Sequence, residues 1–403
     1  MYHSIGAHYS HVTELLGFTP VRHEGKVMGL AAHGDPSATA PILRRRIAYL
    51  PDKRGWRNGG MVDQAELAYL RKALRGFSRE DIAAGIQRVC EDEVLAFVSD
   101  ILTTTRERRV AVAGGVFANV RLNQRIRELP GVESLCVFPH MGDGGIAVGA
   151  ALACWGRRFA SPSPEAAYRP RAMEHVYLGA SYPHQDVVES LNRAGVPFTV
   201  HDDVEDRIGD LLAEGYVVCR FDGPMEYGPR ALGNRSILCA PTDPSVHDWL
   251  NAALKRSEFM PFAPSALEEA ASQCFLGVRP GCPAEHRFMT ATYAATPWCK
   301  EHAPAVVHVD GTARPQTVSR EVNPSFHKIL TAFHRRTGLP LLINTSFNMH
   351  ESPIVNSPDG AVKAFQQSGL HYLAMGKTLV HNPNAAWPRA AVPTSRVASP
   401  PNL

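Results

Sequence analysis

Strand, glycine turn and helix follow one another in both halves of this 403-residue chain, which predicts an α/β fold. In the first half "RRVAVAGGVFANVRLNQRIREL" passes from an apolar run, Val110 to Ala113, through Gly114-Gly115 into a helical pattern. The stretch "ESLCVFPHMGDGGIAVGAALACWG" repeats that layout. In the second half "GYVVCRFDG" and "LPLLINTSF" read as strands, and "HDWLNAALKRSEF" and "SPDGAVKAFQQSG" read as helices.

In chain order, the first clear element is a helix from Glu80 to Thr105, with Ile82, Ile86, Val89, Val94, Phe97 and Ile101 mostly three or four residues apart. The two strand–turn–helix units then make one α/β lobe. "RRFASPSPEAAYRPRAMEHVYLGA" has no sustained period and reads as a linker, which puts a domain boundary near residue 172. A second α/β domain spans 173–384, where "VVHVDGTARPQTV" is a strand broken by a polar turn. The end, 385–403, "AAWPRAAVPTSRVASPPNL", is rich in Pro, Ala and Ser and is expected to be disordered.

Composition narrows the function classes. Forty-two Lys and Arg against 39 Asp and Glu give a formal charge of +3, too small a bias to argue for nucleic acid or a membrane surface. No apolar run approaches the roughly 20 residues of a membrane span, and the start lacks a basic region followed by an apolar core, so a cytoplasmic location is expected. Eight cysteines lie scattered with no CxxC pair and read as buried, reduced thiols.

The polar segments carry the chemistry. "DGPMEYGPRALGNRSIL" sets Arg230 and Arg235 in a glycine-rich stretch, and an arginine fork beside flexible backbone suits a carboxylate or phosphate. Lys255, Arg256 and Arg314 add cations, and Asn344, Thr345, Ser346 and Asn348 in "NTSFN" add neutral donors. Glycines and small residues in these segments fit tight loops better than a solvated basic face. "GGVFAN" either cradles phosphates on freed N–H groups, with Asn119 or Asn123 on ribose or base, or is only a tight turn. Asp143 in "GDGG" suits a hard cation or a helix N-cap, and spacing alone favours the cap. His8 and His11 in "HYSH" lack patterned acids or cysteines and read as core or solvated histidines.

In order, "YSHVTELLGF", "EGKVMGLAAHG", "GGVFANVRLN", "FPHMGDGGIAVGAAL", "MEYGPRALGNRSILCAP", "LKRSEFMPFAPSAL", "HVDGTARPQTV" and "LLINTSFNMHESPIV" resemble the NodU/CmcH family of ATP-dependent O-carbamoyltransferases, from about residue 4 to about residue 382. The resemblance implies that 1–172 is the later part of an actin/hexokinase-like (ASKHA) carbamoyltransferase domain and 173–384 a YrdC-like domain. It implies that the second makes carbamoyl adenylate from carbamoyl phosphate and ATP, supplied with Mg2+, and that the first passes the carbamoyl group to a hydroxyl of a sugar, antibiotic or other secondary metabolite. Arg230 and Arg235, helped by Lys255, Arg314, Asn344, Ser346 and Asn348, would hold carbamoyl phosphate or the ATP phosphates. Gly114, Gly115, Asn119 and Asn123 would hold the adenylate, and Asp143 matches a metal ligand of the family, with iron or another divalent cation expected.

Family members also carry a long N-terminal portion with an HxxxH segment that supplies histidine ligands, and no HxxxH precedes "GGVFAN" here. The expected metal site is therefore incompletely liganded, and the sequence reads as a fragment, a mispredicted start, or one subunit whose missing lobe comes from a second chain. Two further readings compete: a threonylcarbamoyl-adenosine enzyme acting on tRNA, disfavoured by the near-neutral charge, and a non-catalytic nucleotide-binding partner.

Overall fold

A computed structural model describes residues 4–59, 63–158, 173–256, 261–278 and 285–398. The chain divides into two compact units, one running up to Ile146 and including Thr290–Thr292, the other formed by most of the remainder. The expected boundary near residue 172 lies outside the described residues.

The first unit contains helices α1 (Ile5–Leu15), α2 (Glu24–Ala31), α3 (Ala40–Arg44), α4 (Asp63–Ala73), α5 (Arg79–Thr105) and α6 (Val120–Arg127), and the start of α7 (Asp143–Arg158). Its strands are β1 (Ile47–Leu50), β2 (Gly55–Asn58), β3 (Arg109–Val112) and β4 (Ser134–Val137). Helix α5 is the long helix the periodicity predicts. The Ser78 hydroxyl accepts from the Asp81 N–H at 3.0 Å, and Glu80 and Asp81 complement the positive end of its dipole. Ile82, Ile86, Val89, Val94 and Val98 join a core with Val12, Val27, Leu43 and Ile47. Ile101, expected inward, is 41% exposed in the last turn.

Strands β3 and β4 pair in parallel, with Arg109 opposite Ser134 and Val112 opposite Val137. Leu135 and Val137 face the core, while Arg109, Ala111, Ser134 and Cys136 are exposed. No residue of α7 is buried, and its Ile146, Leu152 and Trp155 are 68%, 47% and 53% exposed. Parallel sheets ordinarily have both faces covered.

The second unit is built on one eight-stranded mixed sheet. Its strands are β5 (Thr199–Val200), β6 (Val218–Phe221), β7 (Arg235–Cys239), β8 (Ala263–Leu267), β11 (Gln316–Val318), β12 (Leu341–Ser346), β13 (Tyr372–Met375) and β14 (Thr378–His381), while β9 (Tyr293–Ala294) and β10 (Thr312–Ala313) form a separate pair. The order is β11-β8-β12-β7-β6-β13-β14-β5. Its helices are α8 (His184–Arg193), α9 (Val204–Ala213), α10 (Val246–Ala253), α11 (Ala271–Cys274), α12 (Pro297–His302), α13 (Pro324–Thr337) and α14 (Pro358–Ser368). Asn323 and Gly338 cap α13, and Phe326, Ile329, Leu330, Phe333 and Thr337 form its buried stripe.

Strand direction decides where the polar segments go. β7 is antiparallel to β6 and to β12, β12 is antiparallel to β8, and β8 is parallel to β11. The β6–β7 loop, the residues after β12 and those before β8 and β11 therefore all leave the same end of the sheet.

The tail corrects the expectation of disorder for 385–403, as far as Ala398 is described. Ala390 N–H donates to Gly215 O at 2.8 Å, and Val397 N–H donates to Thr337 O at 2.7 Å. Trp387 Nε1 donates to Ser368 O at 2.9 Å and its ring stacks on Trp249, while Arg389 lies 3.8 Å from the Tyr216 ring centroid. Gly215 and Gly338 make room: both have positive φ, and a Cβ there would come within 2.2 Å of Ala390 O or 2.0 Å of Val397 O. Composition pointed to disorder because the segment has no periodicity, yet one Trp and one Arg anchor it.

Candidate active site

The glycine-rich β6–β7 loop carries Arg230, half-buried, and Arg235 opens β7. The two arginines do different things. Arg235 is fully buried, its Nη1 donating to Asp222 O and Asn234 O at 2.9 Å and its Nη2 to Ala180 O and Gly223 O at 3.0 and 3.1 Å. Its guanidinium lies 3.8 Å over the Phe221 ring, and burial lowers its pKa. With those four bonds spent on carbonyls, Arg235 ties the backbone of the loop together.

Asn344 is likewise engaged within the sheet. Only 2% exposed, it donates from Nδ2 to Ser265 Oγ at 2.9 Å, Gln316 Oε1 at 3.1 Å and Ala231 O at 3.4 Å. Ser265 Oγ also donates to Gln316 Oε1 at 2.6 Å, and Gln316 Nε2 donates to Leu232 O at 2.7 Å. A buried polar ladder across β11, β8 and β12 thus supports the Arg230 loop from beneath.

Ser346 and Asn348 are gathered by Arg256, whose Nη2 donates to Ser346 O at 2.8 Å, Ser346 Oγ at 3.1 Å and Asn348 Oδ1 at 2.7 Å. A hydroxyl that accepts this way still has its own proton to donate. The preceding Lys255 is exposed and holds φ at 56°, a strained value for a residue with a Cβ. Arg314 follows a turn built by Asp310, whose Oδ1 accepts from Thr312 N–H at 3.0 Å and Thr312 Oγ1 at 2.7 Å. Burial alone would raise the pKa of Asp310, but hydrogen bonds from His308 and Thr312 outweigh it and hold the carboxyl well below the usual range. A shallow, water-sized recess beside the loop is lined by Tyr177, Leu232, Gln316, Thr317, Ser319 and Asn323. Burial raises the pKa of the Tyr177 phenol well above its usual value, and its hydroxyl donates to Leu232 O at 2.8 Å.

In the first unit, Gly114 has φ of 119° and donates to Met141 O at 2.6 Å, and Gly114 and Gly115 are exposed at the loop before α6. Asn119 is the N-cap of α6, accepting from Leu122 N–H at 3.0 Å and donating to Gln87 Oε1 at 2.8 Å. Asn123 is fully buried and donates to Phe117 O at 2.7 Å and Thr290 O at 2.6 Å. These bonds tie both asparagines to the protein, and the Gly114-Gly115 backbone is the exposed part of the loop. His8 is buried at 3.5 Å from Glu66, which Arg46 also pairs, and burial lowers the histidine's pKa; this is the core histidine expected. Asp143 is exposed in the first turn of α7, and no three His, Cys, Asp or Glu among the described residues are grouped to hold a metal. One carboxylate does not make an iron site.

Sequence reasoning missed Glu226, Arg220 and Gln316, all buried at the same sheet end. The signal was available in Glu226: an acid close in sequence to two arginines in a tight loop needs partners if it is buried.

Known proteins bear on this geometry. Residues 209–382 match the family Carbamoyltransferase C-terminus and residues 1–152 match Carbamoyltransferase N-terminus. The chain is 34% identical to Nodulation protein NolO of Bradyrhizobium diazoefficiens, over 94% of this chain and 69% of the relative. It is 35% identical to Nodulation protein NolNO of Sinorhizobium fredii, over 96% of this chain and 58% of the relative. With an uncharacterized protein of Methanocaldococcus jannaschii it shares 35% identity over 90% of this chain and 59% of the relative. The chain belongs to the carbamoyltransferase family. It spans a little under three fifths to about seven tenths of the length of these relatives. A likeness to the crystal structure of T.kodakarensis HypF covers 48% of this chain and 22% of that one at 18% identity, with a TM-score of 0.32, too low to establish a shared fold.

Proposed function

We propose that the second unit, read as YrdC-like, makes carbamoyl adenylate from carbamoyl phosphate and Mg2+-bound ATP. The observation that carries this is the convergence of the Arg230 loop, Lys255, Arg314 and Ser346–Asn348 at one end of a single sheet. In this reaction water cleaves carbamoyl phosphate to carbamate and phosphate. A carbamate oxygen then attacks the α-phosphorus of ATP, the bond to the β-phosphate breaks, and pyrophosphate leaves. Two anions must be brought together, and fixed cations offset that repulsion without a covalent nucleophile. Arg230, Lys255 and Arg314 are the cations that fit, and the Ser346 hydroxyl is a neutral donor beside them.

The first unit, read as the later part of an ASKHA domain, passes the carbamoyl group to a hydroxyl of a sugar, antibiotic or other secondary metabolite, with the Gly114-Gly115 backbone against the adenylate. A divalent cation at Asp143 would need ligands besides that one carboxylate, and no group of three His, Cys, Asp or Glu is found among the described residues. The expected setting is the cytoplasm; no helix among the described residues is long and apolar enough to cross a membrane. The test is pyrophosphate release by the purified chain. Release that requires both carbamoyl phosphate and ATP is expected, and ATP breakdown indifferent to carbamoyl phosphate contradicts the reading.

A further inference from the structure

Glu226 sits on the β6–β7 loop and is 5% exposed. Its Oε1 accepts three backbone N–H groups of the same loop: Leu232 at 2.7 Å, Asn234 at 2.8 Å and Arg235 at 3.3 Å. The neighbouring peptide groups are engaged as well. Leu232 O accepts from Tyr177 and Gln316, Gly233 O accepts from Arg220 Nη1 at 2.6 Å, and Gly233 N–H donates to Ser236 Oγ at 2.9 Å. Gly233 has φ of 118°, and a Cβ there would lie 2.3 Å from Phe326 Cδ1, so this conformation needs glycine.

Three N–H groups converging on one carboxyl oxygen form the concavity that phosphate-binding loops offer to a ligand. Here a side chain of the loop already fills it. We propose that Glu226 is a positioning residue: it takes the loop's backbone donors and fixes the segment that follows Arg230, so an incoming anion is met by the arginine side chain and not by backbone N–H groups. The Glu226 oxygen and the Gln316–Asn344 ladder hold the loop from opposite sides of its backbone, one on the N–H groups, the other on the carbonyls of Ala231 and Leu232. The catalytic consequence rests on the adenylation reading; the structural one does not.

Two readouts separate them. Amide hydrogen exchange on the whole chain follows Leu232, Asn234 and Arg235 in wild type, Glu226→Gln and Glu226→Ala. Exchange of labelled pyrophosphate into ATP, in the presence of carbamoyl phosphate, gives kcat and KM for the same proteins. Glu226→Gln keeps an acceptor oxygen, so protection at the three amides and kcat should stay close to wild type. Glu226→Ala should lose that protection while β6 and β12 keep theirs, and its kcat should fall by about a hundredfold, the scale of a small misplacement of a catalytic group. Added acetate, which fits the vacated space, should restore part of both. A folded Glu226→Ala with unchanged protection overturns the positioning role, and lost protection with wild-type kcat overturns its catalytic consequence. If Glu226→Ala does not fold, Glu226→Gln decides: a kcat loss as large as that expected of Ala, with the amides still protected, overturns the proposal. If wild type itself shows no pyrophosphate exchange, the adenylation reading fails, and amide protection still decides whether Glu226 holds the loop.

Discussion

Arg230 and Arg235 are five positions apart in one glycine-rich stretch, yet one is half-buried and the other fully buried. Their substitutions should therefore separate. Arg235→Ala removes four buried hydrogen bonds, of which Asn234 O and Ala180 O keep a backbone donor while those to Asp222 O and Gly223 O are lost outright, and should destabilise the chain by about 3 kcal/mol, read from a denaturant midpoint. Arg230→Ala should cost less stability than Arg235→Ala on the same midpoint while abolishing carbamoyl-phosphate-dependent pyrophosphate release. The two were indistinguishable in the sequence because burial at a strand start depends on register, and the same ambiguity hid the burial of Asn344. The loops themselves were legible, since glycine, proline and short polar residues mark them whatever the register. Asp310 adds a pH dependence. Its folded pKa is depressed, so its stabilisation is full above the unfolded carboxylate value near 4 and is lost as pH falls toward the lower folded value. Asp310→Asn should remove that acid-limb component from a stability-versus-pH curve.

Among the elements, the docked tail and the exposed α7 depart most from ordinary expectation. His371 ties the tail down: its Nδ1 accepts from Val217 N–H at 3.3 Å and its Nε2 donates to Trp387 O at 3.0 Å, which needs the neutral ring. Burial lowers the pKa of His371, and Arg389 and His381 add to that. Below about pH 6.5 the undocked state gains a proton that the docked state resists, so tail docking should weaken with acid. The hydrogen-exchange protection factors at 387–398, taken relative to intrinsic rates at each pH, should be high and level at neutral pH and fall below about pH 6.5; protection that is flat down to pH 5 contradicts it. For α7, Ile146→Ser and Trp155→Ser should each change stability by less than about 0.5 kcal/mol, because neither side chain is buried. A loss of 2 kcal/mol or more would mean that α7 is packed in the isolated chain.

Over the whole molecule, the α/β class was readable from the alternation of apolar runs and glycine turns, and the observed strands β3, β4, β6 and β12 lie where that reading put them. The mixed strand order of the large sheet was not readable. Order and direction arise from pairing between distant segments, such as β11 with β8, and no local pattern encodes such a pairing. That topology brings separate polar segments to one end of the sheet, which is the observation behind the adenylation proposed for the second unit. The most direct measurement is exchange of labelled pyrophosphate into ATP by the purified chain, with and without carbamoyl phosphate and with no acceptor present, wild type beside Arg230→Ala. The account predicts exchange that requires carbamoyl phosphate and disappears in the variant; a folded wild-type chain with no exchange would contradict it.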